Sequence, residues 1–127
     1  MLQEESFVRH WLNKFRVALR GIVVGVRGEA SFAIQLPAAV IVLAAAIWIQ
    51  LDWVRICILL LCIGMVLTAE LLNTAIEHLA KAVDPNENEH LRNALDIAAG
   101  AVLLASIFAM IIGVLLFAEP FVVNQSP

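Results

Sequence analysis

The chain has 127 residues, room for one domain and too few for two ordinary ones. With 62% hydrophobic and 15% charged residues and a mean hydropathy of +0.92, it falls outside the range of soluble domains and reads as a membrane protein. A net charge of −3 excludes the strongly basic balance that a nucleic-acid partner calls for, so the eight cations count by their positions.

Residues 1–27 hold five of those cations: Arg9, Lys14, Arg16, Arg20 and Arg27. Phe7, Trp11, Phe15 and Leu19 recur every four residues, an apolar helical stripe with Lys14 and Arg16 off it. The pattern predicts an amphipathic helix over 1–28 at a membrane surface, its tryptophan and basic side chains at headgroup level. The early apolar core of a secretory leader is not found here. Gly21, Gly25 and Gly28 predict a close backbone approach or a bend of the chain toward the bilayer. They do not make a phosphate loop, since no strand precedes them and no Lys-Ser/Thr pair follows.

Membrane-spanning helices are predicted at about 30–49, 53–82 and 91–118, which makes 1–127 a single all-α integral-membrane domain. The first has Gln35 near its start and Pro37 in its early turns. Its connection to the second, Gln50 to Trp53, is short enough to make the two antiparallel neighbours. The second stays apolar to Leu67 apart from Arg55, then runs on through Ala69 to His78 as an overlong helix. A polar turn at 83–90, with Pro85, ends it. The third has Ser106 as its one polar side chain between Ile97 and Ala118, and those 22 residues span a hydrocarbon core of about 30 Å. Glu119-Pro120 is expected to stop it, leaving 121–127 as a tail. Gly100, Ala101, Ala105 and Ala109 suit a close-packing face between helices. Cys57 and Cys62 point to different sides of one helix and read as small apolar side chains. Trp11, Trp48 and Trp53 fit interfacial anchors. A cytoplasmic N-terminus places seven of the eight cations on that side, leaving only Arg55 opposite, as the positive-inside rule favours.

Glu70, Asn73 and Glu77 stand at i, i+3 and i+7, so one helix face carries two carboxylates and an amide out of apolar sequence. A carboxylate at the bilayer centre costs about 2.5–3.5 kcal/mol, which favours a place at the membrane edge or in a polar cavity. Glu29 before the first span and Asp96 opening the third fall at the same membrane level. Like charges a few ångströms apart raise one another's pKa. Magnesium, which takes one or two carboxylates plus substrate phosphates, relieves that, and a remaining carboxylate then serves as general base toward a hydroxyl. Plain polar helix ends and a proton or ion pathway are the other readings of the same residues. His78 and His90 are too irregularly spaced for a ligand pair and read as solvated.

Glu70-Leu-Leu-Asn73-Thr-Ala-Ile-Glu77, followed by Asp96-Ile-Ala-Ala-Gly-Ala-Val-Leu-Leu, resembles the signature of the small bacterial diacylglycerol kinase/undecaprenol kinase family. Phe15-Arg-Val-Ala-Leu-Arg-Gly21 and Glu29-Ala-Ser-Phe32 resemble its N-terminal motifs, and the likeness covers residues 15–117. The resemblance implies a homotrimeric enzyme of the bacterial inner membrane, one surface helix and three transmembrane helices per subunit, transferring the ATP γ-phosphate to a lipid hydroxyl with Mg²⁺. By that resemblance Glu70 matches the general base and touches the lipid, with Phe32 a further candidate for substrate contact. Glu29 and Glu77 match the carboxylates that hold magnesium against ATP, and Asn73 and Asp96 match polar residues of the nucleotide site. Leu95 stands where the family commonly carries a phosphate-contacting lysine. Lys81, one turn beyond Glu77, and Arg92, one turn before Asp96, are the candidate replacements. Ala33-Ile34-Gln35 lacks the charged residue that often follows the motif phenylalanine. Diacylglycerol, giving phosphatidic acid, is the expected acceptor and undecaprenol the alternative. A non-catalytic homologue that binds lipid or nucleotide is a second alternative, on account of Leu95.

Overall fold

The computed structural model describes residues 2–83, 86 and 88–123, with side chains over 6–83, 86 and 88–122. Within them the chain is all helical: α1 Leu2–Gly28, α2 Ala30–Trp48, α3 Trp53–Val83 and α4 Glu89–Val123. The last three are long and apolar enough to cross a membrane. A helix satisfies its own backbone donors and acceptors, which is what lets such sequence leave water. At 31 residues α3 is about 46 Å long. That exceeds a hydrocarbon core of about 30 Å by several turns, and the surplus carries Glu70 to Lys81.

The first helix break falls at Glu29, whose extended backbone separates α1 from α2. The bend expected across Gly21 to Gly28 is therefore confined to the end of that stretch, and Gly21 and Gly25 lie inside α1. Gly25 does make the close approach. A Cβ there would sit 2.6 Å from Leu71 Cδ2, so glycine leaves the Leu71 side chain room where α1 lies against α3.

The short connection makes α2 and α3 an antiparallel pair, and its backbone has a defined form. Gln50 takes the left-handed conformation at φ 59°. Its N–H donates to the carbonyl of Ile47 (3.1 Å), and that of Leu51 to Ala46 (3.0 Å). This is a Schellman cap, with Gln50 where glycine is usual. The hydrophobic contact that accompanies such caps is present: Ala46 and Leu51 are buried with Leu59 and Leu116, against Val42, Ile56, Ile112 and Phe117. The apolar core thus sits at the connection end of the molecule. There Arg55 pairs with Asp52 and reaches α4, its Nη2 and Nε lying 2.6 and 3.1 Å from Glu119 Oε2. The Arg55 guanidinium holds the Asp52 carboxyl below its ordinary range.

The turn before α4 includes Asp84, Pro85 and Glu87, which lie outside the described residues, as do 124–127 of the expected tail. Asn88 caps α4, its Oδ1 accepting from the Leu91 N–H at 2.9 Å, so the helix begins at Glu89, ahead of the expected 91. Nor does α4 stop at Glu119-Pro120. It runs on to Val123, because so near its end Pro120 forfeits one ladder bond while Glu119 is tied to Arg55. Of the close-packing face expected at Gly100, Ala101, Ala105 and Ala109, the last two are half-buried, while Gly100 and Ala101 are exposed and a Cβ on Gly100 would meet nothing within 4 Å.

Candidate active site

At the opposite end from the apolar core, polar side chains are buried. Glu70, Asn73 and Thr74 are 4%, 8% and 2% exposed. They lie on the α3 face turned toward α1 and α2, as the i, i+3 spacing requires. Asn73 Nδ2 donates to Glu77 Oε1 at 3.1 Å, and Thr74 Oγ1 donates to the Glu70 carbonyl at 2.9 Å. The Thr74 bond is a local back-bond that spends the hydroxyl on its own helix.

The Glu70 carboxylate is served from α2, where Gln35 Nε2 donates to its Oε2 at 3.1 Å. A hydrogen bond to a charged group contributes about 1.5–3 kcal/mol, enough to matter for a carboxylate this buried. The other end of the amide, Gln35 Oε1, is buried without a partner among the described residues. An unmet acceptor costs about 1–3 kcal/mol, so it marks a place where a donor arrives. Gln35 was not foreseen as a site residue. The signal lay in its spacing: Glu29, Phe32 and Gln35 recur at i, i+3 and i+6, and Gln35 is the one polar side chain from Phe32 to Ile47.

Glu29, at the α1–α2 break, completes the group. Its carboxyl is held above the ordinary carboxylate range. The largest cause is a hydrogen bond shared with the Glu77 carboxyl, followed by burial and by the charges of Glu77 and Glu70; the Lys81 charge pulls the other way. Glu29 and Glu77 therefore face each other across the helix break. Among the described residues no three His, Cys, Asp or Glu side chains converge as a metal cage. Two facing carboxylates without a third ligand suit magnesium, which is held by one or two carboxylates and completes its shell with phosphate and water.

Not every sequence-predicted residue joins this group. Asp96 is exposed on α4 and has no hydrogen bond or ion pair among the described residues. Its charge is not among those acting on Glu29. Arg92 is exposed in the first turns of α4, and Lys81 is exposed on α3 with its charge reaching Glu29. Phe32 is 1% exposed and belongs to the packing of α2. His78 and His90 are exposed, as read from the sequence.

Two cavities flank the carboxylates. One, of about 720 Å³, opens between α1 and α3, lined by Arg20, Gly21 and Gly25 on one side and Leu71, Thr74 and His78 on the other. The second, of about 450 Å³, runs along α2, α3 and α4, with Gln35 at its polar end and Val42, Leu59, Gly113 and Phe117 farther along. Arg20 is the one cation in the lining of the first cavity, and Gln35, the partner of Glu70, lines the second.

Comparison with known proteins identifies the family. The family described as prokaryotic diacylglycerol kinase matches residues 16–117. Undecaprenol kinase of Bacillus subtilis (strain 168) is 35% identical over 113 residues, covering 86% of this chain and 92% of that protein. Diacylglycerol kinase of Synechocystis sp. (strain ATCC 27184 / PCC 6803 / Kazusa) is 36% identical over 110 residues; the match takes in 86% of this chain but only 63% of that longer protein. With three apolar helices of spanning length and a match over most of its sequence, this multi-pass membrane chain belongs to the prokaryotic diacylglycerol kinase family.

Proposed function

We propose that the chain transfers the γ-phosphate of ATP to the hydroxyl of a membrane lipid, with diacylglycerol the first acceptor and phosphatidic acid its product. The observation that carries the reading is the buried Glu70 carboxylate, held by Gln35, whose side chain lines the apolar groove. In this reading Glu70 accepts the hydroxyl proton. Glu29 and Glu77 hold magnesium, which when bound neutralises the phosphate charge that builds during transfer. Asn73 steadies Glu77, and the α1–α3 cleft takes the nucleotide, with Arg20 and Lys81 supplying positive charge near its phosphates. Such a site works by positioning and charge neutralisation, so it needs no glycine-rich phosphate loop.

The same reading places the chain in the bacterial inner membrane with α1 on the cytoplasmic face, where ATP is available. The exposed apolar side chains of α1, among them Phe7, Trp11 and Phe15, then rest on the bilayer. Asp96, exposed on α4 and absent from the charges that act on Glu29, is assigned to a nucleotide site shared between subunits, and the homotrimer is proposed with the family likeness. Undecaprenol is the second reading of the acceptor, favoured by the nearly full-length match to the Bacillus subtilis protein. The test is transfer of label from γ-labelled ATP to diacylglycerol and to undecaprenol, offered side by side to purified protein in bilayers. Labelling of one lipid identifies the acceptor. Labelling of neither, by a folded protein, contradicts the kinase reading and leaves a non-catalytic homologue.

A further inference from the structure

A carboxylate acting as base has two oxygens, and only one can face the acceptor. On α3 nothing fixes which: Asn73 is committed to Glu77, and the Thr74 hydroxyl goes to the Glu70 backbone. Among the described residues the only side-chain partner of the Glu70 carboxylate is Gln35, reaching it from α2 across thirty-five positions of sequence. An ionised carboxylate accepts only, so the NH₂ end of the amide must face it. That leaves Gln35 Oε1 turned away, buried, unpartnered and at the polar end of the apolar groove.

We propose that Gln35 is the positioning residue of the acceptor site: its amide hydrogen pins one oxygen of Glu70 and aims the other at the lipid hydroxyl, and its buried carbonyl oxygen receives that hydroxyl as it arrives. The inference rests on the lipid-kinase reading above, with Glu70 as the base. In the transfer step the alcohol oxygen bonds to the γ-phosphorus as the bond from that phosphorus to the ADP oxygen breaks. The hydroxyl proton leaves the Gln35 carbonyl and passes to the free oxygen of Glu70. Gln35 gains and loses nothing. It sets direction, so its loss should appear in turnover and not in the binding of nucleotide, which occupies other residues.

The experiment compares Gln35→Leu, Gln35→His and Glu70→Gln with the parent chain in bilayers, measuring kcat and the KM for MgATP together with thermal stability. Leucine keeps the size of the side chain and suits a membrane helix, while removing donor and acceptor together. Neutral histidine restores one of each on a single ring. Gln35→Leu is expected to lower kcat about a hundredfold, in the range of positioned general-base catalysis, with the KM for MgATP within about twofold of the parent. Gln35→His should recover at least about tenfold of that loss. The proposal is overturned if Gln35→Leu keeps its turnover, if histidine restores nothing, or if KM and stability change along with kcat. Glu70→Gln separates the two levels. If it is inactive while Gln35→Leu works normally, the base assignment stands and the Gln35 proposal falls. If Glu70→Gln itself turns over at the parent rate, the reading of Glu70 as base fails, and Gln35 with it.

Discussion

Both Glu70 and Glu77 are held by amides, Gln35 and Asn73, and among the described residues no cation is hydrogen-bonded to either. A neutral donor orients a carboxylate while leaving its charge free to act on magnesium or on a proton. The positive charge nearest the group in effect is Lys81, which acts on Glu29 from one turn beyond Glu77. With Leu95 unable to contact phosphate, Lys81 is the replacement cation on this account. Lys81→Ala should then raise the KM for MgATP about tenfold, the worth of one charge-assisted contact, while Arg92→Ala leaves it nearly unchanged. The reverse pattern would move the role to Arg92. A second local prediction concerns Gln50, whose φ of 59° strains any residue with a Cβ. Gln50→Gly should stabilise the protein by about 0.5–1 kcal/mol, read as a higher thermal midpoint with activity unaltered. The acidic residues were legible in the sequence because carboxylates stand out in apolar surroundings. Gln35 was not, since a single amide in a membrane helix says nothing of its partner. The left-handed backbone at Gln50 was hidden too, because neither glycine nor asparagine announces it.

Helix α1 meets α3 where Gly25 faces Leu71, and this contact forms one wall of the cleft assigned to nucleotide. Gly25→Val should push the Leu71 side chain aside and reshape the cleft, because the first added atom meets Leu71 Cδ2 at 2.6 Å. The expected result is a loss of at least about tenfold in kcat/KM for MgATP, with the helix content and thermal midpoint of the three spans retained. A normal kcat/KM would show that the α1–α3 contact does not shape the site. The spans themselves were legible because long apolar runs admit no other structure in a bilayer. Their ends were less so. The tie between Arg55 and Glu119 joins positions sixty-four apart, and it carries α4 through a proline that, read locally, marks its end.

Taken whole, the chain buries little of its apolar surface. Trp48 and Trp53 are 86% and 77% exposed, and Gly100 and Ala101 line an open face of α4. Lipid and neighbouring subunits are the environments that fit such a surface. Sequence periodicity cannot divide the surface between them, because lipid tails and helix faces are equally apolar. The molecule is polarised along its length: an apolar core with the Arg55 ion pairs at one end, and the buried Glu70 carboxylate with Asn73 and Thr74 at the other. The central claim is that this second end moves a phosphoryl group onto a lipid with Glu70 as base. Its most direct test is a single-turnover assay of γ-labelled ATP with the purified protein and its acceptor lipid in bilayers, run for the parent and for Glu70→Gln. The account predicts labelled lipid from the parent and a rate at least about a hundredfold lower from Glu70→Gln, with ATP still bound by both. Equal rates from the two proteins, or no labelled lipid from a folded parent, would contradict it.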